Sequence, residues 1–525
     1  MTTRRLRLAR PTLAALDAVA NRVYGWRWNP IYQSGTVAVV TLLVLLATGL
    51  YLLLVYRLGA PFASVERITQ DLWLGRWLRS LHRYASDAFV IAAVVHAWRM
   101  LAQRRSWGPR TLAWVSGGVV LAAGLVEAWT GFVMVWDAFA ERLAREGARL
   151  FDALPIFSEP LSRIFAGEVA VPSAFFFVNL FVHIGLPLGL GVGLWLHVSR
   201  LARPTLLPPR TLSWAVVAAL TVAAIVWPAP LADAADPLRL AVATPINLAT
   251  AWWLPWSEQL PPLTVFALAT VVALAFLLVP SLTARARTGM LAPSVVDPRL
   301  CTGCNQCPQD CPWEAITMVA RTDDRPTLVA LVDPALCVSC GICAGSCAPM
   351  GVGPVGSSGR DQLDAIRLST VPALRVSSDA PIPSNVVFCC AEAPASHREA
   401  LRARGALVRE VRCAGNLHSS AVELALRGGA PGVMVFACPP RDCAGREGPK
   451  WLGERLFNER EAELQPRVDR RRVRVGTMAG GDLRGTLQAF DDFARDVATL
   501  APLPVSGDQD VTQDCVTSAD AGGRE

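Results

Sequence analysis

A chain of 525 residues that is 52% hydrophobic and only 18% charged is too long for one domain and too apolar for an ordinary soluble one. Its net charge of +7 falls largely on arginines beside apolar runs. No basic run is interleaved with aromatics, which argues against a nucleic-acid reader and suits a membrane. All fourteen cysteines lie in residues 284–525 and none in 1–283, so an apolar half precedes a soluble-looking one.

The opening "MTTRRLRLARP" has no apolar h-region and no small-residue cleavage site, and reads as a cytoplasmic tail. Six stretches then approach the ~20 residues that span a bilayer: about 35–56, 82–103, 112–136, 174–199, 212–230 and 263–281. The fifth is the weakest, because "WPAP" ends it early. Arg4, Arg5, Arg7 and Arg10 precede the first span. Arg104, Arg105 and Arg110 follow the second, Arg200, Arg203 and Arg210 the fourth, and Arg285 and Arg287 the sixth. By the positive-inside tendency these ends are cytoplasmic. The expectation is a multi-pass inner-membrane protein whose N-terminus and cysteine half face the cytoplasm.

Four of the six histidines sit in these spans. His82 and His96 are one device, His183 and His197 the same device repeated. Fourteen positions advance ~21 Å and almost close four turns, so each pair shares a helix face near opposite membrane surfaces. Spans two and four run the same way. His82 can therefore meet His183 on the periplasmic side, and His96 can meet His197 on the cytoplasmic side. Two facing neutral imidazoles suit a b-type haem, so two haems are expected. Gly35 and Gly49 on span one, and Gly117 and Gly131 on span three, repeat the fourteen-residue step. They would let a flat macrocycle lie against the backbone; the ordinary alternative is small residues at helix interfaces. Glu127, a carboxylate within span three, suits a proton relay or an interhelical hydrogen bond.

With "ASVERIT", "WLRSLHRY", "HAWR", "TGFVMVWD", "DALPIFSEPL" and "HIGLP", residues 28–281 resemble the cytochrome b/b6 family. That resemblance implies two stacked b haems, quinone as substrate near each, Arg79 and Arg99 on haem propionates, and a homodimer. It also implies a periplasmic quinone pocket walled by Trp136, Asp137, Trp252 and Trp253. Three departures weigh against full bifurcating quinol oxidation. The family's arginine five residues before the third ligand is Val178, its "PEWY" becomes "TAWW" with Ala251 for the glutamate, and no Rieske-type sequence is present.

In the second half, "CTGCNQCPQDCP" and "CVSCGICAGSCAP" each read C-x-x-C-x-x-C-x-x-x-C. Thiolates at these intervals wrap a cubane cluster, and the fourth cysteine of each run serves the other cluster. One 4Fe–4S centre takes Cys301, Cys304, Cys307 and Cys347. The other takes Cys337, Cys340, Cys343 and Cys311. This matches the bacterial two-cluster ferredoxin pattern over about 295–352, except that proline follows the last cysteine by two places, at Pro349. Zinc is the alternative occupant.

After a Gly/Ser-rich link (353–383), "NVVFCC", "LVREVRC", "GVMVFAC" and "RVRVGTM" read as strands. They alternate with helical stretches "HREALRARG", "SSAVELALRGG" and "PKWLGERLFNEREAEL". Alternation argues a parallel α/β domain, with ligands gathering at the carboxyl ends of its strands. Cys389, Cys390, Cys413, Cys438 and Cys443 would converge there. "FCC…VRCAG…ACPPRDCAGREG" resembles the delta subunit of methyl-viologen-reducing hydrogenase. The likeness implies a 2Fe–2S cluster and a heterodisulfide-reductase-type flavoprotein partner. The family's extra cysteine is Ala393 here, so one of Cys389 and Cys390 is spare. A catalytic thiol or a disulfide pair is the competing reading. His397 and His418 read as surface or cap residues, and Cys515 lies in a polar tail expected to be disordered.

The expected architecture is multidomain: a six-span all-α bundle (1–283), an α+β ferredoxin domain (284–352), a linker (353–383), a parallel-sheet α/β domain (384–502) and a tail (503–525). The expected activity is a quinone-linked oxidoreductase subunit, exchanging electrons between a cytoplasmic flavin or iron–sulfur partner and the quinone pool. Its rivals are a quinol oxidiser sending electrons inward and a membrane redox sensor.

Overall fold

The structure, a computed structural model, describes residues 2–503 apart from 104, 157, 166–170, 200, 237–245, 286–291, 324 and 378–383. Arg104, Arg200, Arg287 and Cys515 with its tail lie outside the described residues. The chain forms two compact units, Met1–Ala9 with Gln33–Ala286, and Arg10–Tyr32 with Arg287–Glu525. Most of the first helix, α1 (Thr2–Tyr24), therefore groups with the cysteine half, not with the spans that follow it. Asn21 fixes it there: its amide donates to Gly480 O (2.7 Å) and to Tyr32 Oη (2.8 Å).

The first unit is helical: α2 (Ser34–Val55), α3 (Pro61–Gln70), α4 (Gly75–Ala102), α5 (Thr111–Val133), α6 (Ala138–Asp152), α7 (Ser173–Ser199), α8 (Arg210–Val226), α9 (Leu254–Gln259) and α10 (Pro262–Arg285). Five of these are long and apolar enough to cross a membrane: α2, α4, α5, α7 and Pro262–Leu282 of α10. Of the six expected spans, five have that length, and the fifth in order, the weakest in sequence, is a shorter apolar helix. At 17 residues α8 rises ~25 Å, short of the ~30 Å hydrocarbon layer. Its expected continuation to 230 fails at Trp227, since Pro228 and Pro230 cannot extend a helix. α6 is amphipathic and starts where Asp137 caps it, accepting from Ala140 N at 2.9 Å. α4 packs on α2, and α7 on α5.

The second unit begins with two antiparallel ribbons. β1 (Ser294–Val296) pairs with β4 (Val352–Pro354), and β2 (Ile316–Val319) with β3 (Val329–Val332). Short helices α11 (Gln306–Asp310) and α12 (Ile342–Gly345) follow the two cysteine loops. The expected linker is largely helical. α13 (Gly359–Ala365), a π turn (Ile366–Thr370) and α14 (Val371–Ser377) bury Leu363, Ile366, Val371 and Leu374 in the core of the next domain. Apolar residues hidden among its glycines and serines make it structure, not tether.

That domain is a four-stranded parallel sheet of β5 (Val386–Cys390), β6 (Leu407–Val411), β7 (Val433–Ala437) and β8 (Val473–Thr477), in the order β6-β5-β7-β8. The helices α15 (Ala395–Ala403), α16 (Ser419–Arg427), α17 (Gly448–Phe457) and α18 (Leu483–Ala498) alternate with the strands. Separate apolar cores cover the two faces. α17 stops at Phe457, shorter than the sequence suggests, because Glu459 and Ala462 adopt positive φ.

Candidate functional site

Within the membrane unit the four histidines pair across helices as their spacing predicts. The ring centroids of His82 and His183 lie 6.4 Å apart, and those of His96 and His197 6.5 Å apart. Two metal–imidazole bonds of ~2 Å plus half a ring on each side fill that separation, so both pairs fit a metal held between them.

The glycines act on the imidazoles themselves. A Cβ at Gly35 would stand 2.8 Å from His96 Cε1, at Gly49 3.2 Å from His82 Cε1, at Gly117 3.1 Å from His197 Cε1, and at Gly131 2.9 Å from His183 Cε1. Each glycine thus makes room for one ring edge from the neighbouring helix. A hydroxyl precedes each glycine. Thr48 Oγ1 is 2.9 Å from His82 Nδ1, Thr130 Oγ1 2.9 Å from His183 Nδ1, and Ser116 Oγ 3.2 Å from His197 Nδ1. Ser34 holds the fourth place, and its Oγ is buried without a partner in the described structure.

These hydroxyls set the tautomer. Thr48 donates to Val44 O (2.7 Å), Thr130 to Glu127 O (2.9 Å) and Ser116 to Ala113 O (3.2 Å). A hydroxyl has one proton, so towards the imidazole it accepts, and Nδ1 carries the hydrogen. The lone pair is then on Nε2, the nitrogen a metal takes. Nothing in the histidine spacing reveals these groups; the signal is a Ser-Gly or Thr-Gly dipeptide at 34, 48, 116 and 130. Glu127 makes the interhelical contact, its Oε1 3.1 Å from His183 Nδ1.

The arginines divide. Arg99 is buried at 2% exposure, three residues beyond His96. Arg79, expected on a propionate, donates to Ala229 O and Pro230 O (both 2.9 Å), so its fork pins the loop that ends α8. Of the expected quinone-pocket residues, Trp136 packs edge-on against Phe175 and Phe176. Trp253 packs near Ala251 against α6, while Trp252 is exposed. Asp137 caps α6 and accepts from Ala232 N (3.2 Å), so its carboxylate is already engaged in structure.

In the ferredoxin-like part the two cysteine loops repeat one backbone path. Gly303 and Ser339 precede the second cysteine with positive φ, and Asn305 and Gly341 follow it with positive φ. The left-handed residues turn the chain so that successive thiols face inward. Cys311, Cys337, Cys340 and Cys343 line one cavity with Ser294 and Trp313. Backbone amides point at the sulfurs: Ser294 N and Ser339 N at Cys337 (3.4 Å each), Ala315 N at Cys311 (3.4 Å), Gly351 N at Cys347 (3.3 Å). Donors to sulfur suit thiolates that carry cluster charge. Burial pushes the Cys343 thiol up to about 12, so a metal, not solvent, must supply the thiolate.

In the α/β domain four thiols gather at the carboxyl ends of the strands. Cys390 is within hydrogen-bonding reach of Cys413 and Cys438, and Cys413 of Cys443. Ala414 N donates to Cys390 Sγ (3.1 Å). Cys389 does not join them. It lies in the core of the opposite sheet face, beside Val387, Met434 and Phe436, because adjacent strand residues point to opposite faces. The histidines read as surface groups are both buried, at 3% for His397 and 2% for His418. His418 is nevertheless a cap: Nδ1 accepts from Ser420 N (3.1 Å), which leaves Nε2–H to donate to Cys347 O (3.1 Å).

Comparison with known proteins places three family models along the chain. Residues 22–204 match Cytochrome b/b6/petB, 300–351 the 4Fe-4S dicluster domain, and 386–501 the methyl-viologen-reducing hydrogenase, delta subunit. Cytochrome b of Allochromatium vinosum is 30% identical over 169 residues, 32% of this chain and 41% of the relative. Cytochrome b6 of Oltmannsiellopsis viridis is 28% identical over 190 residues, 35% of this chain and 87% of the relative. Cytochrome b of Rhodospirillum rubrum is 27% identical, with 37% of this chain and 47% of the relative covered. The chain thus spans less than half the length of the two bacterial cytochromes b. A solved structure, the "Hyperthermophilic respiratory Complex III", aligns at TM-score 0.36 and 18% identity over 48% of this chain and 75% of its own. The matches cover a membrane cytochrome segment, an iron–sulfur segment and a hydrogenase-delta segment on one chain. That combination is electron-transfer machinery attached to a membrane.

Proposed function

We propose that the chain is the membrane subunit of an oxidoreductase that passes single electrons between a cytoplasmic flavin or iron–sulfur partner and the quinone pool. The centres would be a 2Fe–2S cluster on Cys390, Cys413, Cys438 and Cys443, two 4Fe–4S clusters on the two loops, and two b haems. Those cofactors supply the one-electron chemistry when bound. The chain's own part is to hold and insulate them. The observation that carries this reading is the two facing imidazole pairs, each ring received by a glycine of the neighbouring helix and three of the four held through Nδ1 by a hydroxyl. The match to a hydrogenase delta subunit favours a heterodisulfide-reductase-like or hydrogenase-like partner on the cytoplasmic side. Asp137, engaged as the α6 cap, and the alanine at 251 leave these two positions without a free carboxylate for proton exchange with a quinone in either direction. A homodimer follows the cytochrome likeness.

Reduced-minus-oxidised spectra of the purified protein test the reading. They are expected to show b-type bands, and His96→Ala to lose one of two haems while the protein still inserts into membranes. Iron–sulfur signals that persist in that variant, with electron delivery to a quinone analogue abolished, complete the expected result. A wild-type protein without b-type bands overturns it.

A further inference from the structure

Between the second cysteine loop and the α/β domain's thiol pocket runs a seam of glycines. A Cβ at Gly445 would stand 3.2 Å from Cys413 Sγ and 3.6 Å from Cys340 Cβ; one at Gly448 would stand 2.5 Å from Cys413 Sγ and 3.3 Å from Cys443 Sγ. One at Gly345 would meet Arg455 Nη2 at 2.5 Å and Gly415 O at 2.6 Å. Side chains at Gly345 and Gly448 would collide here, and of the long side chains that reach across, Arg412 to Ser339 O, Arg446 to Pro312 O and Arg455, Arg455 is the fully buried one.

Arg455 comes from α17 and is 1% exposed. Its Nη1 donates to Ser346 Oγ (3.0 Å), between Cys343 and Cys347 in sequence, and its Nη2 to Gly415 O (2.7 Å), two residues past Cys413. Both partners are neutral. The buried Asp310 favours the Arg455 charge from nearby, but it pairs directly with Arg460, through Oδ1 at 2.6 Å. Burial lowers the Arg455 guanidinium only to about 10, so it stays charged at neutral pH. A buried cation with no direct counter-ion costs several kcal/mol, and a fold that keeps one has an anion nearby in its working state. Thiolate-held iron–sulfur centres carry such charge, and their potentials follow the charges around them.

We propose that Arg455 is a redox-tuning residue that stabilises the reduced forms of the 2Fe–2S centre and of the 4Fe–4S centre on Cys337, Cys340, Cys343 and Cys311. The proposal rests on the reading that clusters occupy these sites. One electron entering either centre adds one negative charge beside the guanidinium, which raises both midpoints together and keeps adjacent centres matched for transfer.

The test is an EPR-monitored redox titration of the full-length protein, with iron and sulfide counted, for wild type, Arg455→Gln and Arg455→Lys. Arg455→Gln is expected to lower both midpoints by at least a tenfold change in the reduced-to-oxidised ratio, ~59 mV for one electron. Arg455→Lys keeps the charge and is expected to stay near wild type, with haem midpoints unmoved in both. Loss of cluster iron from Arg455→Gln but not from Arg455→Lys also supports the charge role. Unchanged midpoints in a loaded Arg455→Gln, equal shifts in the two variants, or iron loss from both would overturn it in favour of plain packing. A wild-type protein lacking the cluster signals would refute the proposed function instead, which its own spectrum reports before any variant is compared.

Discussion

Two neighbouring cysteines, 389 and 390, show how little separates a ligand from a core residue. Both are almost wholly buried, yet Cys390 faces three other thiols and Cys389 faces valine, methionine and phenylalanine. Burial above all pushes the Cys389 thiol up to about 12, so it behaves as a small apolar side chain. Cys389→Ala is therefore expected to keep the full 2Fe–2S EPR signal at a cost of roughly 1 kcal/mol from the lost sulfur contacts. Cys390→Ala is expected to lose the signal. Equal loss in both variants would mean that the strand's two faces have been assigned the wrong way round. The doublet itself is ambiguous in sequence, because alternation says that its members diverge but not which face holds Cys413 and Cys438. Only the strand order β6-β5-β7-β8 brings those residues to one edge.

At the scale of helices, the histidine pairing was legible because a fourteen-residue step is a property of one helix. The glycine role was not, because it depends on which neighbour approaches. Gly35 and Gly49 on α2 receive the rings of α4, and Gly117 and Gly131 on α5 receive those of α7. A side chain restored at these places collides to different degrees, and that grading is a prediction. Gly35→Ala, whose Cβ would meet both Cε1 and Nδ1 of His96 at 2.8 Å, is expected to disturb the haem proposed between His96 and His197 most. Gly131→Ala follows for the one proposed between His82 and His183, and Gly49→Ala, at 3.2 Å, is the mildest. Overpacking of this kind costs roughly 1–3 kcal/mol. The b-band amplitude of each variant reads the order; a reversed order would mean that the rings are not where the glycines receive them. The short α8 and the helical segment 359–377 differ in the same way. The proline pair that truncates the first is visible as "WPAP" and bounds it, whereas tertiary burial of Leu363, Ile366, Val371 and Leu374 recruits the second and does not show in local composition.

Over the whole molecule the six histidines divide by unit, four in the membrane-spanning helices and two buried in the cysteine half, and this division predicts an acid response confined to one half. His418 is held in a single neutral tautomer between Ser420 N and Cys347 O, and burial lowers its pKa from 6.5 to about 4. His397, hydrogen-bonded through Nδ1 to Thr486 Oγ1 at 3.2 Å, is lowered by burial as well. An unfolded chain therefore binds protons at both sites more readily than the folded one, and for His418 the window runs from pH 6.5 to about 4. Their contribution is fully present above pH 6.5 and is lost as pH falls through that window. For His418 the loss amounts to up to about 3 kcal/mol. Protonation at Nδ1 would turn the acceptor of the α16 cap into a second donor facing Ser420 N–H, and the link to the Cys347 loop would go with it. The temperature at which iron–sulfur absorbance bleaches should accordingly drop between pH 7 and pH 5. His418→Asn keeps a capping acceptor but cannot titrate, so its bleaching temperature should fall less over the same range. Equal pH slopes in the variant and the wild type would place the acid sensitivity elsewhere, in the clusters themselves.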